Sequence, residues 1–159
     1  MIEPIGVFAW GNRGRGDDGA ALALAERLET RFAERTDVVV YTYHQLGPEV
    51  VDDLAGSSFA IFVDANVEPD APPVDRSRVR AARSSTLDSH HCSPAELLAL
   101  GHALGLQLPE SWLIGIRAQV MDFNDDLSPE TAACVARAER VILNMIDRRQ
   151  RRAPELADA

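Results

Sequence analysis

The pattern of apolar and polar positions changes period along this chain, and each change marks a predicted element. A short apolar run at 5–10 reads as a strand. Between 18 and 34 the residues Ala21, Leu24, Ala25, Leu28 and Phe32 recur at helical spacing, so a helix is predicted there. Residues 38–43 are β-branched and aromatic and form a second predicted strand. Gly47-Pro48 opens a short helix with Val50, Val51 and Leu54 on its apolar stripe. Pro48 suits its first position, where a missing N–H costs nothing. The continuous apolar run 59–63 is that of a central strand covered on both faces, and it stops at Asp64.

The second half continues the alternation. Segment 68–75, with three prolines and three acidic residues, reads as an exposed loop. Residues 79–86 are expected to form an edge strand with Arg80 and Arg83 facing water, and 87–92 a loop. Ser93-Pro94-Ala95-Glu96 is a capping box with proline at the first helical position, starting a helix through Leu104. A strand is predicted at 112–116, and Ser128-Pro129-Glu130 repeats the Ser-Pro helix start for a helix to about residue 148. Residues 151–159 are expected to be a solvated, frayed tail. The alternation gives an α/β layered sheet in one domain over 1–150, with the 79–86 strand the candidate for an antiparallel neighbour.

Composition narrows the class. At 46% hydrophobic residues, 159 residues suffice for one buried core. A net charge of −9 argues against a nucleic-acid partner and is compatible with a metal or a cationic segment. Cys92 and Cys134 show no C-x-x-C spacing and no disulfide framework, which fits a reducing cytoplasm. No signal peptide and no membrane span is expected, because no basic-then-apolar leader and no apolar run of spanning length occurs.

Candidate chemistry begins in the loop Gly11-Asn12-Arg13-Gly14-Arg15-Gly16-Asp17-Asp18-Gly19, between the first strand and the first helix. Its glycines are spaced G-x-x-G-x-G, neither the dinucleotide fingerprint nor a phosphate loop with its lysine. Two carboxylates at a helix start would also repel a phosphate, so a nucleotide is disfavoured and a cation fits better. The other reading of Asp17 and Asp18 is that they only cap the helix and complement its dipole. Consecutive parallel strands would bring Asp18, Asp64 and His90 to one sheet edge. Two carboxylates and an imidazole are an O,O,N set able to hold a divalent metal such as nickel or zinc. Alternatively, Asp64 only terminates its strand and His90 is a loop histidine beside His91. No G-x-S-x-G or H-E-x-x-H motif competes.

Five pieces in order carry a resemblance: Gly11-Asn12 with Asp17-Asp18-Gly19; Ile61-Phe62-Val63-Asp64-Ala65; Ser89-His90 with Leu97-Leu98; Leu113-Ile114-Gly115-Ile116; and Leu127-Ser128-Pro129. The chain resembles the hydrogenase maturation proteases from Ile5 to about Ile146. These are cytoplasmic endopeptidases that trim the C-terminal extension from the large subunit of nickel-iron hydrogenases. The resemblance implies a three-layer α/β fold, a mainly parallel mixed sheet of about five strands between helices. It implies Asp18, Asp64 and His90 as metal-binding and catalytic positions. Spacing to the Leu97-Leu98 pair favours His90, with His91 the alternate. It further implies a large-subunit precursor as partner, and nickel supplied by that precursor rather than permanently bound. No nucleic acid and no membrane are expected, and a monomer is. Two departures stand out: Tyr43-His44-Gln45-Leu46-Gly47 where many relatives have an acid followed by Gly-Thr, and Ala21 where glycine is common. The alternative is a non-catalytic module that senses nickel in the precursor or chaperones it.

Overall fold

The computed structural model describes residues 3–83, 91–123 and 125–157. Its elements are β1 (Ile5–Trp10), α1 (Ala20–Arg31), β2 (Val38–Tyr43), α2 (Val50–Ala55), β3 (Phe59–Asn66), β4 (Val74–Arg78), α3 (Pro94–Ala103), β5 (Glu110–Arg117) and α4 (Pro129–Ala157). Among the described residues five strands form one sheet in the order β2-β1-β3-β5-β4. The first four neighbours are parallel, and β4 runs antiparallel to β5. The α/β layered sheet expected from the alternation, and the three-layer arrangement implied by the resemblance, are therefore adopted.

Strand periodicity sorts the side chains onto two cores. Ile5, Val7 and Ala9 of β1 face one way with Ile61, Val63, Ile114 and Ile116, and α1 and α4 cover them. Phe8 and Phe62 face the other way, where α2 and α3 supply Val50, Leu54, Leu97 and Leu98. The buried Glu139 of α4 joins the first helix layer to itself. It accepts from Arg27 at 2.7 Å and from Arg31 at 3.1 Å, both on α1.

Several boundaries differ from expectation, each for a local reason. The helix predicted from 18 starts at Ala20, because 13–19 is a 3₁₀ turn broken at Arg15 and Gly16. α2 starts at Val50, and Pro48 lies in the turn before it rather than at its first position. β3 does not stop at Asp64. It runs on to Asn66, because β5 offers partners as far as Arg117. The antiparallel edge strand is 74–78, beginning in the last two residues of the segment read as a loop, and not 79–86. Residues 79–83 are not strand, and 84–86 lie outside the described residues. α4 continues through Ala157, so the segment read as a frayed tail is helical that far.

α3 matches its sequence signature. Ser93 Oγ accepts from the Glu96 N–H, and the Glu96 carboxylate accepts from the Ser93 N–H.

Candidate functional site

Parallel strands place their following loops at the carboxyl edge of the sheet. Asp18 arrives there through the loop after β1, and Asp64 through the last residues of β3. The loop owes its shape to two glycines. A Cβ on Gly11 would collide with the carbonyl oxygen of Asp18. Gly16 has φ +58°, and a Cβ there would sit 2.6 Å from the Val120 carbonyl oxygen. The Asn12 side chain accepts from the Gly14 N–H at 2.9 Å, and the Asn12 N–H donates to Asp18 Oδ2 at 3.1 Å. Asp18 is thus held by the turn that precedes it and remains half-exposed.

Asp17 does something other than cap the helix beside it. It is fully buried, and its carboxylate accepts five hydrogen bonds from the loop after β5 and the first turn of α4: the N–H groups of Gln119, Val120 and Ser128 and the hydroxyls of Ser128 and Thr131, at 2.7–2.9 Å. Its own N–H donates to the Val120 carbonyl at 2.7 Å. Burial opposes its ionisation. The Val120, Gln119, Ser128 and Thr131 donors outweigh that and bring its pKa down to about 2. Asp17 is the residue that sequence reasoning misjudged. Its donors lie more than a hundred positions away, and no local pattern announces them.

Asp64 is the opposite case. Its carboxyl is largely buried, and burial pushes its pKa up to about 6, offset in part by the Ala65 N–H and raised again by the charge of Asp18. The charge of Asp18 adds to the cost of ionising Asp64, a cost that a divalent cation would relieve. The oxygen-only donor set of this pair suits such an ion. Asp18 therefore lies near enough to Asp64 for its charge to act on it. His90 lies outside the described residues. His91 is described and exposed, and among the described residues no three His, Cys, Asp or Glu side chains form a metal-holding group.

The surroundings of the site are open. A cleft of about 370 Å³ is lined by Gly11, Arg13, Leu22, Thr42, Tyr43 and His44, where β1 and β2 end. His44 thus stands on this rim. Three exposed apolar residues, Val67 after β3 and Val120 and Phe123 after β5, lie in loops leaving the same edge. No described helix is long and apolar enough to cross a membrane.

No family model and no curated protein matches the chain. Solved structures do. The chain is similar to hydrogenase maturating endopeptidase HybD from E. coli, with 20% identity and a TM-score of 0.72 over 91% of this chain and 93% of that one. It is similar to the hydrogenase 2 maturation peptidase of a Thaumarchaeota archaeon, with 23% identity, a TM-score of 0.66, and 91% and 98% coverage. A NiFe hydrogenase maturation protease, HycI from Thermococcus kodakarensis, gives 18% identity and a TM-score of 0.68, with 91% and 93% coverage. The resemblance read from five short motifs thus holds along nearly the whole backbone, and the chain has the fold of the hydrogenase maturation endopeptidases.

Proposed function

We propose that this chain is an endopeptidase of hydrogenase maturation. It removes the C-terminal extension of a nickel-iron hydrogenase large-subunit precursor after nickel insertion. The observation that carries this reading is the pairing of Asp18 with Asp64 at the carboxyl edge, where burial and the charge of Asp18 push the Asp64 pKa up to about 6. The fold shared with proteins named as hydrogenase maturation endopeptidases supports it. An open, apolar-rimmed edge also suits a polypeptide substrate better than a small molecule.

In this reading Asp18 and Asp64, with His90, bind the nickel already carried by the precursor, and so position the adjacent peptide bond. Nickel, as the substrate's own metal, would supply Lewis-acid polarisation of the scissile carbonyl or of an attacking water. The chain's part is to present two ionised carboxylates on a rigid turn and strand. Asp17 fixes that turn without touching the metal. The proposed setting is the cytoplasm, and the proposed state is a monomer.

The test is to incubate the purified protein with nickel-loaded and nickel-free precursor and follow the loss of the extension by mass spectrometry. Cleavage of the loaded precursor alone is expected. Nickel-dependent complex formation with no cleavage would instead assign the chain to metal sensing or chaperoning.

A further inference from the structure

We propose that the groove between α4 and the edge strand β4 binds an acidic segment of a partner polypeptide. This groove lies at the amino ends of β3 and β5, the edge of the sheet opposite Asp18 and Asp64. A cavity of about 220 Å³ opens there, with Arg76, Arg148, Arg149 and Arg152 around a floor that includes Trp112 and Met145. A second hollow of about 120 Å³ shares Arg76, Met145 and Arg148 and continues along α4 past Asn144 and Val141.

The charge balance in the groove is the informative part. The cavity holds one acid, Glu110. It is already engaged by Arg78 at 2.7 Å, with Arg149 at 3.7 Å. Among the described residues Arg76, Arg148 and Arg152 have no carboxylate partner. Three guanidiniums with no carboxylate partner among the described residues thus face one groove in a chain whose net charge is −9. Acidic segments are repelled by the protein as a whole and attracted here.

Two of the arginines are held by aromatic rings. Arg76 lies 5.3 Å from the Trp112 ring centre, and Arg149 5.3 Å from that of Phe59. Arg149 also donates to the Ser58 carbonyl at 3.2 Å. Arg148 and Arg152 stand one turn apart on α4 and so project from the same helix face. Guanidinium forks match carboxylates in a bidentate way, and the indole and thioether floor offers contact to a neighbouring apolar side chain. The length of the groove, with charge at intervals, fits an extended acidic segment carrying apolar residues between its carboxylates. A nucleic acid is a poor match for one short basic groove on an otherwise acidic surface.

The inference does not depend on proteolysis and is tested by binding alone. The probe is a fluorescein-labelled peptide of alternating Glu and Leu, titrated with the whole protein and read by anisotropy. Saturable binding is expected. The double variant Arg148→Glu/Arg152→Glu should weaken it by about tenfold or more. The double variant Arg137→Glu/Arg140→Glu, on exposed positions of the same helix and with the same change of net charge, should weaken it by no more than about twofold. Arg76→Gln, on the exposed edge strand, should weaken it by about threefold and guards against a local effect on α4. Equal losses in the two double variants, no saturable binding, or no loss with Arg76→Gln would overturn the proposal. So would displacement of the peptide by inorganic phosphate at matched ionic strength, or tighter binding of a single-stranded oligonucleotide to the same groove.

Discussion

Asp17, fully buried, and Asp64, partly buried, are two carboxylates at one edge of one sheet, and they have been treated in opposite ways. Asp17 receives five donors, and its pKa falls to about 2. Asp64 is offered the Ala65 N–H, faces the charge of Asp18, and its pKa rises to about 6. Burial alone would raise both. The difference is whether the protein itself supplies the compensating positive ends of dipoles. A carboxylate that is fully answered by its own chain has no capacity left for a ligand and serves to hold structure. One left under-compensated beside a like charge stores a cost that an incoming cation removes. A perturbed carboxyl of this second kind is the one to suspect of function.

Several variants would break or sharpen that contrast. The largest effect is expected at Asp64. Asp64→Asn keeps the shape and removes the charge, so nickel-dependent processing should fall on the order of a hundredfold or more, as followed by precursor cleavage. His90→Ala should do the same while His91→Ala retains most activity. The reverse result would mean that the wrong histidine was chosen.

At Asp17 the loss should be in stability. Asp17→Asn turns an acceptor of five bonds into a group that also carries donors, and should cost about 3–5 kcal/mol in urea unfolding. Because its folded pKa is depressed, the contribution of Asp17 is present above the unfolded value of 3.8 and is lost as pH falls through about 2. The gap between variant and wild type should therefore hold at neutral pH and close only in strong acid. If Asp17→Asn melts like wild type, the contrast drawn here collapses.

The same asparagine at position 64 should act with the opposite sign. The folded pKa of Asp64 is raised, so it carries no penalty below 3.8 and its full penalty above about 6. Metal-free Asp64→Asn should be more stable than wild type by about 2 kcal/mol at pH 7.5, and the advantage should shrink as pH is lowered from 6 towards 4. Thermal melts across that range would show it. The smallest effect belongs to Ser128→Ala. It removes one hydroxyl from Asp17 and the cap on the Thr131 N–H, and should cost about 1 kcal/mol.

What could be read from the sequence followed the range of the forces involved. β1, β2 and α3 were legible because their signals are local: an apolar run, a β-branched run, a capping box. β4 was misplaced because it is an edge strand with Val74 as its one partly buried apolar residue, so alternation carries little information there. Its position is set by backbone pairing to β5. Asp64 was expected at a strand end and lies inside β3, because strand length depends on a neighbour far along the chain. Within the site, Asp18 and Asp64 stood out by motif order, and the parallel pairing of β1 with β3 puts Asp18 near enough to act on Asp64. Asp17 was not legible. Its partners at 119–131 could be paired with it only once the fold was known.

That separation also sets when the site can exist. The turn carrying Asp18 is made early in synthesis, yet the donors that fix its neighbour Asp17 come more than a hundred residues later. Contacts of such long sequence span close late and slowly. On the ribosome, β1 and its loop would wait with a charged side chain that nothing yet accommodates, until the chain after β5 has emerged and folded back. The turn that carries Asp18 is then fully braced only when that last segment has folded back, so a chain truncated before residue 119 would lack the donors that hold it through Asp17.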